Sequence, residues 1–148
     1  MNLVTLRVLA NSMLLTAGIA GAASPALLYD RLGGAAGVAA IADTLIDRVA
    51  CDPKLGRSFK DVKLDRVKQL LGEQICELSG GPCRYSGDSM HEVHAGHHIS
   101  EAEFYGMVAD LREVLKQLHV SQGATNELLR LLAPMKRDVV EPRQPANQ

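Results

Sequence analysis

From residue 24 onward the apolar residues of this chain recur at helical spacing, and nowhere do they alternate with polar ones between turn pairs. That spacing gives a helix one dry face and leaves a strand none, so it predicts an all-α domain without a sheet. Phe104, Met107, Val108, Leu111, Val114, Leu115 and Leu118 form one stripe. Ser100 and Glu103 stand where a capping box would open that helix, each side chain satisfying a backbone N–H of the first turn. A second stripe, Leu64, Val67, Leu70, Leu71, Ile75 and Leu78, stops at Gly80-Gly81-Pro82. A third, Leu128, Leu129, Leu132, Met135 and Val139, reads as one helix that stops before Pro142. Val38, Ile41, Leu45, Ile46 and Val49 mark a fourth, which begins after Gly33-Gly34. Four or five amphipathic helices with short connections make one all-α domain, the number of domains expected of 148 residues.

The two ends read differently. Residues 1–23 hold one charge, Arg7, followed by the apolar run VLANSMLLTAGIAGAA. A basic start, an apolar middle and small residues at the close are the features of a secretory signal peptide, cleaved after Ala22 or Ala23. The run is short and rich in Gly and Ala for ~30 Å of hydrocarbon, so export to the periplasm without stable membrane insertion is expected. An uncleaved anchor and an N-terminal core helix are the alternatives. The closing EPRQPANQ is polar and is expected to be disordered over 142–148, leaving 24–141 as the folded domain.

Composition removes some functions. A net charge of −1 gives no electrostatic pull on nucleic acid. Aromatics make up 3% of the chain, namely Tyr29, Phe59, Tyr85, Phe104 and Tyr105, which argues against a base-stacking platform or a carbohydrate cleft. The three cysteines, Cys51, Cys76 and Cys83, contain no Cys-x-x-Cys, so neither a zinc ribbon nor a thioredoxin-type site is supported. At most one internal bridge can form. Cys76 and Cys83, either side of a Gly-Gly-Pro turn, are the pair to test, against the alternative that all three are small buried hydrophobes or free thiols.

One segment fits no stripe. Residues 84–99, RYSGDSMHEVHAGHHI, are polar and broken by glycine, yet carry four of the five histidines. On a continuous helix His91, His94 and His98 would share a face and could hold zinc or copper. Gly96 weakens that geometry, ending a helix near His94 and splaying His97 and His98 away. A single neutral imidazole at the end of a short helix, facing an apolar chamber, instead suits a haem iron. Solvated surface histidines are the third reading, and the local pattern leaves all three open.

The chain as a whole resembles the truncated haemoglobins of group I, shortened globins built as a two-on-two helical sandwich around a haem. The resemblance is carried by LYDRLGG at 28–34, DRVACDPKLGRSF at 47–59, LSGGPCRYSG at 78–87, MHEVHAGHHIS at 90–100 and LLAPMKRDVV at 131–140. It implies haem b as cofactor and a diatomic gas, oxygen, nitric oxide or carbon monoxide, as ligand. His94 then falls on the proximal histidine that binds iron, and Phe59 on the aromatic packed against the porphyrin. Met90, Ile99, Phe104, Met107, Leu111 and Leu132 fall on or near the apolar pocket lining, although each also suits ordinary core. Arg66, Lys68 and Tyr85 fall where haem propionates are neutralised, or else on a solvated face.

The departures concern the distal side. The family usually places a tyrosine where this chain has Ile46 and often a glutamine where it has Leu71, with Val67 between them. None of the three can donate a hydrogen bond to a ligand. The resemblance thus implies ligand binding or transport, with haem-dependent redox turnover of nitric oxide dioxygenase or peroxidase type as a second reading. Two rivals come from other classes: a periplasmic His-rich protein for divalent metal, and a haem-free globin fold serving as a sensory or interaction module.

Overall fold

The computed structural model describes residues 26–141, so the signal-peptide expectation for 1–23 and the tail at 142–148 lie outside the described residues. In chain order the helices are α1 (Leu28–Arg31), α2 (Gly34–Cys51), α3 (Leu64–Leu78), α4 (Met90–His94), α5 (Glu101–Gln117), α6 (Gln122–Leu132) and α7 (Lys136–Val139). Short 3-10 turns at Gly56–Phe59 and Ala133–Met135 link α2 to α3 and α6 to α7. No strand occurs among the described residues.

The stripes locate the core. Val38, Ile41, Leu45, Ile46 and Val49 are all buried on α2, at the i, i+3, i+4 spacing that lines up one helix face. They meet Ile75 and Cys76 of α3, Leu111, Val114 and Leu115 of α5, Ala124 and Leu128 of α6, and Leu28 with Leu32 at the start of the chain. Helix α2 is the centre, packing on α3 on one side and α5 on another, while α5 packs on α6 and α4 packs on α7. Gly33 and Gly34 turn the chain from α1 into α2 at φ of +94° and +61°, values at which a side chain is strained. At Gly81 the limit is space: a Cβ would come within 2.6 Å of both Cys76 Sγ and the Tyr29 ring.

Two expectations change. The stripe from Leu128 to Val139 is not one helix: α6 ends at Leu132, and a 3-10 turn and the short α7 follow. Pro134 is the reason, since it has no N–H for the helical ladder and its ring crowds the preceding turn. The helix also starts earlier than the stripe, at a Ser121 cap whose hydroxyl accepts from the Ala124 N–H. Glu141, the last residue of the expected folded domain, is held in the fold, its N–H donating to the Ile99 carbonyl at 3.0 Å.

The structure also decides between the readings of the cysteines. Cys76 and Cys83 form a disulfide with Cα atoms 5.7 Å apart, and Cys51 is a free, exposed thiol. The bridge ties the buried end of α3 to the loop that leads into α4. Among the described residues no helix is long and apolar enough to cross a membrane.

Candidate functional site

The histidine segment becomes a loop, a five-residue helix and a second loop. Ser89 caps α4: its hydroxyl accepts from the Glu92 N–H at 3.3 Å, and the Glu92 carboxylate accepts from the Ser89 N–H at 3.0 Å. The helix stops because Ala95 is extended and Gly96 lies at φ +79°. His94 is therefore the last helical residue, and His97 and His98 diverge from it.

His94 is the half-buried histidine of the four; His91, His97 and His98 are exposed. Its Nδ1 lies 2.7 Å from the Met90 carbonyl oxygen. A carbonyl only accepts, so Nδ1 carries the proton and the Nε2 lone pair is free. Burial is the main cause that pushes the His94 pKa down, with His97 adding to it and the Met90 bond opposing. The side chain is thus a neutral, oriented imidazole with one open donor atom. Among the described residues no three His, Cys, Asp or Glu side chains converge to hold a metal ion, which leaves the multi-histidine reading without a ligand set.

The apolar candidates divide into three groups. Ile46 and Leu111 sit in the core at 1% and 5% exposure. Phe59, Val67, Leu71, Met107 and Leu132 are partly buried and packed against it. Met90, Ile99 and Phe104 are half-buried outside the main cluster. Because α3 packs chiefly on α2 and α4 chiefly on α7, the half-buried side chains of α3 and α4 are not used up on each other. Gln74 spans the two helices, its Nε2 lying 3.2 Å from Met90 Sδ.

The charged candidates divide as well. Lys68 Nζ lies 2.6 Å from Asp47 on α2, which raises the Lys68 pKa. It lines a groove of about 380 Å³ between α2 and α3, with Tyr29, Asp43, Asp65 and Glu73, in which none of the apolar candidates takes part. The Arg66 guanidinium donates weakly to Ser86 Oγ at 3.5 Å, and Tyr85 donates its hydroxyl to the Asp88 carbonyl at 3.0 Å. Burial raises the Tyr85 pKa. Arg66 and Tyr85 are thus on or beside the loop before α4, whereas Lys68 is not.

Several residues that organise the site carry no local signal in the sequence. Glu73 accepts from both the N–H and hydroxyl of Ser86, and Glu77 accepts from the Tyr85 N–H, so two α3 carboxylates lace down the loop before α4. Arg57 and Glu141 do the same for the loop after it.

The bacterial-like globin family matches residues 27–141. A group 1 truncated haemoglobin of Tetrahymena pyriformis is 26% identical over 116 residues, covering 78% of this chain and 96% of the relative. One from Mycolicibacterium paratuberculosis is 29% identical over 117 residues, covering 79% and 86%. The crystal structure of the T. pyriformis protein in its Fe(III) form superposes with a TM-score of 0.75 at 25% identity, covering 79% of this chain and 100% of the other. The 2/2 haemoglobin of a Synechococcus species, solved in the cyanomet state with covalently attached haem, gives 0.72 at 26% identity over 78% and 98%. The matched region holds all seven helices of the described residues, and the chain belongs to the bacterial-like globin family, with the two-on-two fold of its truncated haemoglobins.

Proposed function

We propose that this protein holds a haem through His94 Nε2 and binds a diatomic ligand on the opposite, apolar side. The observation that carries it is the bond from His94 Nδ1 to the Met90 carbonyl at 2.7 Å. A ligating imidazole needs its other nitrogen engaged so that ring and tautomer are fixed, and here that second bond is made within one turn of α4. The residues fit the group in other ways. Phe59, Val67, Leu71, Met107 and Phe104 offer a planar apolar cofactor carbon surface rather than charge. Arg66 and Tyr85, on or beside the loop before α4, would neutralise its carboxylates. A haem supplies an iron with a position open to a diatomic molecule. Ile46, Val67 and Leu71 can neither hold nor move a proton, which favours reversible binding over peroxidase-type turnover. The test is absorption of the purified protein in ferric, ferrous and carbon monoxide forms. A Soret band that shifts with each form is expected, and a colourless protein after haem addition would refute the reading.

The same proposal places the protein in the periplasm. Two features support this: the Arg7, apolar and small-residue succession over 1–23, and the Cys76–Cys83 bridge, of a kind that persists in oxidising compartments and is rare in the cytosol. Intact mass of protein taken from its native compartment is expected to lack residues 1–22 or 1–23. A soluble cytosolic chain beginning at Met1 or Asn2 would overturn it.

A further inference from the structure

The loop that follows His94 is held from both sides by residues far away in sequence. Gly96 at φ +79° and His98 at φ +51° bend it sharply, the second in a conformation that a side chain seldom adopts. Its backbone groups are nevertheless bonded in succession. The Gly96 N–H donates to Glu141 Oε1 at 2.5 Å. The His97 and His98 carbonyls accept from the two terminal nitrogens of Arg57 at 2.9 and 3.0 Å. The Ile99 carbonyl accepts from the Glu141 N–H, and Glu141 Oε2 faces His98 Nδ1 at 2.7 Å.

Arg57 is itself fixed. Its Nε donates to Glu103 Oε1 at 2.5 Å, and Glu103 is also the capping partner of Ser100 at the start of α5. The Arg57 bond, with those from Ser100, lowers the Glu103 pKa to about 2. One planar guanidinium therefore joins three elements: the 3-10 turn that carries Phe59, the loop after α4, and the first turn of α5. A lysine has the charge but not the fork of donors that two adjacent carbonyls and a carboxylate require.

We propose that Arg57 and Glu141 are positioning residues which clamp the 96–99 loop between them and so set the angle at which His94 presents Nε2. This rests on the haem reading and deepens it. Helix α4 is five residues long and packs chiefly on α7, so it has little packing of its own to fix its axis. The clamp supplies what that packing does not, anchoring the loop that leaves α4 to α5 on one side and to Glu141, just past α7, on the other.

The test compares Arg57→Gln, Arg57→Lys and Glu141→Ala with wild type, and uses Arg31→Gln, at an ion pair with Glu127 away from the site, as a control. Two readouts are taken on haem-loaded protein: the iron–histidine stretching band of the ferrous form by resonance Raman, and the rate of haem loss to an excess of apomyoglobin. A third is amide hydrogen exchange at Gly96 in the haem-free chain. Each clamp variant is expected to broaden or shift the stretching band and to speed haem loss on the order of tenfold, the equivalent of one or two hydrogen bonds. Arg57→Lys is expected to behave like Arg57→Gln, and Gly96 exchange to accelerate in Glu141→Ala. The Arg31→Gln control is expected to leave all three unchanged. An unmoved stretching band and wild-type haem loss in all three clamp variants would overturn the clamp while leaving the haem reading intact. Full rescue by Arg57→Lys would overturn the role of the guanidinium fork. A wild-type chain with no Soret band would instead overturn the haem reading itself.

Discussion

Replacing His94 with alanine is expected to abolish stable haem binding, whereas His91→Ala, His97→Ala and His98→Ala each retain a Soret band. The four histidines lie within eight positions, and composition cannot tell them apart. Geometry can. His94 is half-buried with its Nδ1 proton committed to the Met90 carbonyl, and burial keeps the ring neutral. The other three are exposed, and His98 is turned toward Glu141. A freely rotating imidazole must lose rotational freedom before it can ligate, and the ring of His94 is already held by its bond to Met90. His98→Ala removes the imidazole contact of the Glu141 carboxylate, so a modestly faster haem loss without loss of the band is consistent with the clamp. A native spectrum in His94→Ala, with the band lost in one of the other three, would show the assignment to be wrong.

The second large effect concerns oxygen. Dioxygen becomes polar when held and is stabilised by a nearby hydrogen-bond donor, whereas carbon monoxide gains little from one. Such a bond is worth about 1.5–3 kcal/mol, so its absence speeds oxygen release on the order of 10–100-fold at ~1.4 kcal/mol per factor of ten. Ile46, Val67 and Leu71, proposed to face the ligand, carry only alkyl groups. The long polar side chains next to them on α3 are engaged elsewhere, Lys68 with Asp47 and Gln69 with Glu73. A five-coordinate ferrous form with fast oxygen release is therefore expected.

Supplying the donor should reverse this. Ile46→Tyr places a hydroxyl at the position where the family resemblance implies a tyrosine, but Ile46 is 1% exposed in the core, and the larger ring is expected to cost about 1–3 kcal/mol of stability. Leu71→Gln is the gentler variant, because Leu71 is only partly buried. Either is expected to slow oxygen dissociation 10–100-fold while scarcely changing that of carbon monoxide, as read by stopped-flow ligand replacement. Slow oxygen release in the wild type would sink the argument. So would a six-coordinate low-spin ferrous spectrum without added ligand, since Lys68 or Gln69 would then have left its partner to occupy the pocket.

Which parts of this were legible in the residues follows from the range over which each interaction acts. Helices α2, α3 and α5 were readable because burial of one face repeats every three or four residues. The Ser100–Glu103 cap was readable because both partners lie within one turn. His94 was readable as the end of a short helix through Gly96, and its role through the resemblance of the whole chain. The break after α6 does not show in the apolar spacing, which continues through Pro134 although the helical backbone cannot. Everything that holds the histidine loops in place lay beyond such local rules. Arg57 stands 40 and 41 residues from the carbonyls it binds, and Glu141 stands 45 from Gly96. Whether Cys76 met Cys83, and whether Lys68 met Asp47, depended on where α2 and the loop before α4 came to rest against α3. A local pattern states which face of a helix must be dry. Only the packed chain brings one guanidinium against two carbonyls and a carboxylate from separate segments, because each partner is positioned by a different part of the core.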